Sequence, residues 1–430
     1  MSEERQTERL GDICYIKARI GWRGLSSSEY TEDGPYLIAG QHIRGGQITW
    51  DRCDHITEQR YLESHEIILR DGDVILTKDG TIGRVARIDG LPGESTINGT
   101  MMLVRPLRKL DYRYLYHILN GRGFQKLIDD KVSGSSIPHL FQRDMVELKV
   151  ELPSPDRQTK IAEILDTFDA AIRGTEAVVA KLKAMKQGLL HDLLTRGIDA
   201  NGDLRPTQAT APHLYKHTPL GRLPKEWDVD HLSTFASVHG GKRLPAGHAY
   251  ASGKTGFKYL RVTDFFGKSI KIDDLEDLEE RTFRALTRYE IRAGQLYISI
   301  AGSLGHVGVF PQNADELTRT ILTENAARIV LQKDGNSEFL SMMMNSVSVQ
   351  QQVEWEKGTG GGVPKLALFR IAQFFIGFPS LPEQDAITKA YHEIVEREVR
   401  EEQLLDKLRL QKSGLMDDLL TGRRPVTALL

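Results

Sequence analysis

Few residues in this 430-residue chain are of types and spacings that could do covalent chemistry. Glu147 and Lys149 stand two apart in the run ELKVEL, which would supply half of a nuclease carboxylate–lysine site. The run alternates, however, and alternation on a strand sends both charges to the face turned toward water. Gly80 and Gly83 in TKDGTIGRV bracket a turn that could cradle a phosphate, or equally a tight strand connection needing positive φ. No G-x-x-x-x-G-K-[ST] phosphate loop is present. Cys14 and Cys53 lack Cys-x-x-Cys spacing and read as reduced, buried thiols, not zinc ligands. The expectation is a chain with no catalytic residue, no metal site and no cofactor of its own.

The elements that must position anything functional are used twice. KLKAMKQGLLHDLLT (181–195) and KLRLQKSGLMDDLLT (407–421) share K-L-x-x-x-K-x-G-L-x-x-D-L-L-T without a gap, 226 residues apart. GSSIPHL (134–140) and GGGVPKL (360–366) keep that offset. ILTKDGTIGRV (75–85) matches YISIAGSLGHV (297–307), aligning Gly80 with Gly302 and Gly83 with Gly305. Internal repeats dictate architecture, and these give the order globular region, helix, globular region, helix.

Short β-rich runs bounded by turn glycines recur in both globular regions: VILTK, GRVARI, MMLVRP and ELKVEL, then QLYISIA, HVGVF, ARIVLQ and FFIGF. Helices are expected at 112–128 and 337–354. The fold class is mixed α/β, with two globular domains separated by two long helices that pair as an antiparallel coiled coil about a pseudo-twofold axis. The divisions fall at 1–152, 153–198, 199–230, 231–378 and 379–424, with the polar, proline-bearing 199–230 segment acting as connector.

The first helix has inward positions Ile161, Leu165, Phe168, Ile172, Thr175, Val179, Leu182, Lys186, Leu189 and Leu193, spaced alternately by four and three residues. Ile387, Tyr391, Ile394, Glu398, Glu401, Leu405, Leu408, Lys412, Leu415 and Leu419 form the second seam in the same phase. The segment from Ser380 to Glu383 reads as a capping box, and Ser154 with Pro155 opens the first helix. Each helix of ~40 residues would span roughly 60 Å. Two similar but non-identical modules on a fixed spacer suit a two-part, asymmetric target.

A net charge of −2 and a pI near 6.7 argue against a nonspecific DNA-coating protein, but not against a specific reader with its bases on one face. No apolar stretch approaches the ~20 residues needed to cross a bilayer, and the amino-terminal MSEERQTERLGD is no signal peptide. A cytoplasmic protein without membrane contact is expected.

The ordered set LGDICYIKARIGWRGL, TKDGTIGRVA, GSSIPHL, LPSPDRQTKIAEIL, KLKAMKQGLLHDLLT, HTPLGRLPKEWDV, FPSLPEQ and SGLMDDLLTGRRPV resembles the specificity subunit of type I restriction–modification systems over nearly the whole chain. The second region departs in having AGSLG where a KDGTIG-like run is more usual. The resemblance implies that each globular region recognises one half of a bipartite double-stranded DNA site. It implies that the helices form the spacer and dock two methyltransferase subunits, which use S-adenosylmethionine to methylate adenine. Motor–nuclease subunits, with ATP and magnesium, would complete the complex. This chain lacks the N/D-P-P-Y/F loop of known adenine methyltransferases, in keeping with a non-catalytic role.

Reading bases takes Arg, Lys, Asn or Gln at base edges, with other polar side chains on phosphate. The glycine-bounded loops nominate Trp22, Arg23, Lys78, Thr81, Arg84 and His139 in the first region. In the second they nominate Lys242, Arg243, Lys258, Arg261, Ser303, His306 and Lys365. The acidic run 273–280 would repel phosphate and is expected to face solvent or a protein. The competing readings are a two-module protein-binding adaptor and a free-standing DNA nuclease or methyltransferase.

Overall fold

The computed structural model describes residues 6–18, 25, 27–107, 109–133, 138–265, 270–311, 318–357 and 365–426. The chain forms two compact units, one of residues 1–180 with 400–430, the other of residues 181–399. These units do not follow the five linear segments expected. Each boundary falls inside a long helix, because both ends of each helix are built into a globular core. Ile161, Leu165 and Leu419 share one buried cluster with Leu10, Met102 and Tyr114. Leu193 and Ile387 share another with Trp227, Phe339 and Ile376.

Both units are assembled from the same parts. In the first, a four-stranded sheet runs in the order Cys14–Ala18, Met101–Pro106, Val74–Thr77, Val85–Arg87. In the second the order is Ala236–Gly240, Ala326–Leu331, Leu296–Ser299, Val307–Val309. All these neighbours are antiparallel. A second sheet in each unit, of three strands in the first and four in the second, contains one parallel pair, Tyr36–Ile38 on Ser95–Ile97 and Phe257–Leu260 on Arg319–Leu322. Central strands such as Val74–Thr77 and Leu296–Ser299 are buried along their whole length, which is why they read as continuous apolar runs.

The helices expected at 112–128 and 337–354 are each broken in two: Tyr112–Ile118 and Arg122–Ser133, Ser337–Met344 and Val347–Glu356. Asp111 and Asn336 cap the leading pieces, each side chain accepting two backbone N–H groups. The long helices are Pro155–Thr195 and Leu381–Thr421, 41 residues each. Every predicted seam position is buried or half-buried. Within the first unit Lys412 meets Asp169 at 2.6 Å and Arg409 meets Glu176 at 2.7 Å. Rising numbers on one helix meet falling numbers on the other, so the helices pair antiparallel. In the second unit Lys186 with Glu398 and Ile198 with Glu383 give the same sense.

Two expectations change, one about a helix start and one about the connector. Glu383 does not complete the box at Ser380 but serves the core. Its carboxylate accepts the Trp227 indole N–H at 2.9 Å and the Ile198 N–H at 3.1 Å, and pairs with Arg205. The connector is likewise more than a linker, because the hairpin of Tyr215–Thr218 and Gly221–Pro224 brings Leu223 and Trp227 into the second core. Trp227 is fully buried.

Candidate nucleic-acid interface

In each unit the repeated glycine turn follows a buried strand and is tied down by one hydroxyl. Thr77 Oγ1 donates to Thr81 O and accepts Arg84 N–H at 2.9 Å, while Gly83 N–H reaches Thr77 O. Ser299 does the same with Ser303 O, His306 N–H and Gly305 N–H. Gly80, Gly83, Gly302 and Gly305 all have φ between 73° and 83°, where a Cβ is strained. A Cβ on Gly83 or Gly305 would also press on Ile128 or Val353. The tight-connection reading of these glycines therefore accounts for both.

Two further loops flank each turn at matched places. Lys78 and Ile300 donate to the carbonyls of Thr100 and Asn325, both at 2.8 Å. Leu140 and Leu366 donate to the carbonyls of Lys78 and Ile300, both at 2.9 Å, with bridges Asp79–His139 and Ala301–Lys365 beside them. A frame of three converging loops is thus held by backbone bonds, while the side chains at its matched positions differ between the two units.

On the first frame, Thr81 and Arg84 are exposed, and Arg84 also reaches Gly40 O at 3.4 Å. Lys78 is only 12% exposed and pairs with Asp79 at 2.6 Å. His139 pairs with the same carboxylate and packs at a tilt of 58° against Phe141, over which Arg143 lies at 4.7 Å. Lys78 and His139 therefore come together, but around an acid. Trp22, Arg23 and the start of GSSIPHL lie outside the described residues.

On the second frame, Lys242, Arg243, Ser303 and Lys365 are exposed. His306 is half-buried and turned to Phe265 O at 3.1 Å. Two nominations change. Lys258 is buried, donating to Leu275 O at 3.1 Å and Asp277 at 2.7 Å, so it cannot reach a duplex. Arg261 is held by Asp264 at 3.1 Å and Glu276 at 2.9 Å; the Asp264 hydrogen bond first, then the charges of Asp264 and Glu276, raise its pKa. Glu276 and Asp277 were hidden in sequence because they fold back from the acidic run, which here neutralises basic groups instead of facing only water, whereas Asp264 lies three residues from Arg261 itself. Burial pushes the Asp277 carboxyl up, yet the hydrogen bonds from Lys258 and Thr255 and the lysine charge together outweigh it and leave the pKa lowered. Glu147 and Lys149 are exposed, and Glu147 meets Arg9 at 3.5 Å.

Sequence reasoning missed the third loop of each frame, Asn98 to Thr100 and Thr323 to Asn325. The available signal was INGT before MMLVRP and TENA before ARIVLQ. It also missed Gln158 and Gln384, both buried. Each side chain accepts the N–H of a helix cap, Asp111 at 2.9 Å or Asn336 at 2.8 Å. Each donates to a proline carbonyl five residues back. These glutamines fasten the long helices to the globular parts.

His117, Asp166 and Asp169 form the one cluster with metal-ligand character among the described residues. It is already balanced by Arg87, 2.5 Å from Asp166, and by Lys412 on Asp169, so it reads as a structural network. Both cysteines are buried, and burial pushes each thiol to about 12.

A duplicated α/β unit with a shared loop frame and paired long helices defines a two-module recognition protein. Residues 2–184 match the family described as the type I restriction modification DNA specificity domain. The MjaVIII specificity subunit of Methanocaldococcus jannaschii is 23% identical over 98% of this chain and 93% of its own length. The EcoR124I/EcoR124II specificity subunit of Escherichia coli is 28% identical over 33% of this chain and 35% of its own. The crystal structure of the type I system S subunit from M. genitalium superposes with a TM-score of 0.55 at 15% identity, covering 97% of this chain and 96% of that one. A chain solved to explain assembly and conformational transition of the type I R-M system gives 0.57 at 14% identity, covering 97% of both. Residues 2–184 thus carry the signature of a type I restriction–modification DNA specificity domain, and the chain as a whole is similar to specificity subunits of such systems. No helix among the described residues is long and apolar enough to cross a membrane.

Proposed function

We propose that each unit reads one half of a bipartite, asymmetric sequence in double-stranded DNA, and that the long helices set the unread gap and dock two methyltransferase subunits. The observation that carries this reading is the repeated three-loop frame with different side chains at matched outward positions. Asp79, Thr81, Arg84 and His139 stand where the second unit has Ala301, Ser303, His306 and Lys365. A constant frame with variable tips is what reading two different short sequences demands, since base edges are told apart by side-chain donors and acceptors.

S-adenosylmethionine belongs to the methyltransferase subunits, and ATP with magnesium to motor–nuclease subunits that join them in the cytoplasm; this chain supplies sequence choice. The test is to express the full chain with the methyltransferase subunit of its own system in a host without adenine methylation, and to map modified adenines across the genome. One bipartite motif with a fixed gap, lost when this chain is omitted, is the expected result. A folded complex that modifies nothing, or modifies without a bipartite motif, overturns the reading. Removing one heptad from each helix should shorten the gap and leave both half-sites intact.

A further inference from the structure

In the second unit an open groove of 410 Å³ lies beside the loop frame, lined by Arg243, Tyr250, Tyr259, Arg261, Glu324 and Asn325. Glu324 places a carboxylate on the surface proposed above to face DNA, and it is held in position. Its Oε2 accepts the Thr323 hydroxyl at 3.0 Å and lies 3.3 Å from the hydroxyl of Tyr259, a buried ring whose OH also donates to Lys242 O at 2.9 Å. Oε1 is left facing the Arg243 Nε at 3.8 Å, too long for a hydrogen bond. The carboxylate is 29% exposed and the arginine 77%. One acceptor is therefore preset, and one planar donor fork stands beside it, free to move.

That arrangement matches one base pair. In the major groove cytosine offers its N4 amine as donor, and guanine offers O6 and N7 as acceptors; carboxylates accept from the first, and arginine binds the second pair bidentately. Cytosine N4 and guanine O6 are hydrogen-bonded to each other, so they lie about 3 Å apart. An acceptor and a donor 3.8 Å apart on the protein can engage both at once. We propose that Glu324 and Arg243 together read a C·G pair, with Glu324 as the residue that selects cytosine in the half-site of the second unit. This rests on the DNA-reading role proposed above. The first unit has Gly99 at the matched loop position, so the inference concerns one half-site only.

The experiment is methylome mapping of the full complex with wild type, E324A, E324Q and R243A. The wild-type motif is expected to contain a C·G pair at which E324A loses about tenfold or more of the preference for cytosine. E324Q, which keeps the shape and the hydroxyl contacts, should move preference at that position toward A·T, because glutamine suits adenine N6 and N7. R243A should weaken guanine selection at the same pair, and the other half-site should stay unchanged in all three. A motif without a C·G pair, relaxation in both halves, or a uniform fall in methylation with base choice intact would each sink the proposal. The last of these would mark Glu324 as merely structural, with E324Q guarding against loss of folding in E324A. Absence of any motif from the wild type would instead overturn the DNA-reading role itself.

Discussion

The two units share a frame and differ in how polar their junction with the helices is. In the first unit Arg87, His117, Asp166 and Asp169 meet Lys412 in a partly buried network. The matched positions in the second unit hold Val309, Met342, His392, Val395 and Lys186. The lysine is kept, but its acid moves to Glu398. The second unit places its ionic knot elsewhere, at Arg205, Glu226 and Glu383 around Trp227. There Leu223 and Trp227 pack against Gly377, whose counterpart Glu151 lines an open groove of 330 Å³ in the first unit. The lesson is that a repeat conserves backbone satisfaction, in its caps, turns and glutamine fasteners, while the content of buried junctions drifts between apolar packing and closed ion networks. Either solution works if every charge finds a partner.

The largest effect that can break this comparison is at Trp227. Truncating a fully buried tryptophan costs about 3–5 kcal/mol, and here it also strips the indole donor from Glu383. Trp227→Ala should therefore lower stability by ~4 kcal/mol in chemical denaturation, with proteolysis opening residues 181–399 first. Equal opening of both units would mean that the connector is not specific to the second core. Next comes Arg87→Ala, which leaves Asp166 short of a partner. Breaking such a pair is strongly destabilising, and about 3 kcal/mol is expected for a pair whose side chains are 16% and 20% exposed. Val309→Ala at the matched site should cost ~1 kcal/mol or less. A similar cost for both would erase the distinction between a polar and an apolar junction.

How much of this was legible in sequence follows from the range of each interaction. The heptad seams and turn glycines were, because spacing along the chain alone fixes which face a residue takes. So was the duplication, since it needs only a sequence compared with itself. The polar network was not, because residues 87, 117, 166, 169 and 412 meet only after the sheet and both helices have formed. Lys258 misled for a related reason: beside a glycine-bounded loop it reads as exposed, yet its partner Asp277 sits 19 positions on, in a run that looked like solvated acid. Glu383 fitted a local capping rule, but three long-range donors outcompeted the one nearby N–H.

The pH response sharpens the comparison further. Burial holds the His117 imidazole below its ordinary 6.5, against the pull of Asp166. Burial alone would raise the Asp166 carboxyl, but hydrogen bonds from His117 and Arg87 hold it below its ordinary 3.8. Both folded-state values are depressed, so the unfolded chain binds more protons and stability falls as pH falls. The histidine contribution is intact above about 6.5 and fades as pH drops below it; that of Asp166 fades below about 3.8. His117→Met, which copies Met342 of the second unit, should flatten the decline between pH 7 and 5, by no more than about 1.4 kcal/mol per pH unit. An unchanged pH profile of the melting temperature in this variant would show that His117 is not the titrating group.

The smallest effect is expected on the helix surface. Arg409 and Glu176 meet at 2.7 Å, but their side chains are 53% and 41% exposed. Water and salt screen such a pair, and ordering two long side chains offsets most of what remains. Arg409→Ala should therefore change stability by about 0.5 kcal/mol or less, an effect that shrinks further in high salt. Lys412→Ala, one helical turn on, should cost distinctly more, because Asp169 is only 14% exposed and its Oδ2 has no hydrogen-bond partner among the described residues. Both variants remove a cation–carboxylate pair between the same two helices, and burial is the main difference between the two pairs. If they prove equal, burial is not what makes the junction of the first unit costly to disturb, and the contrast drawn between the two units loses its physical basis.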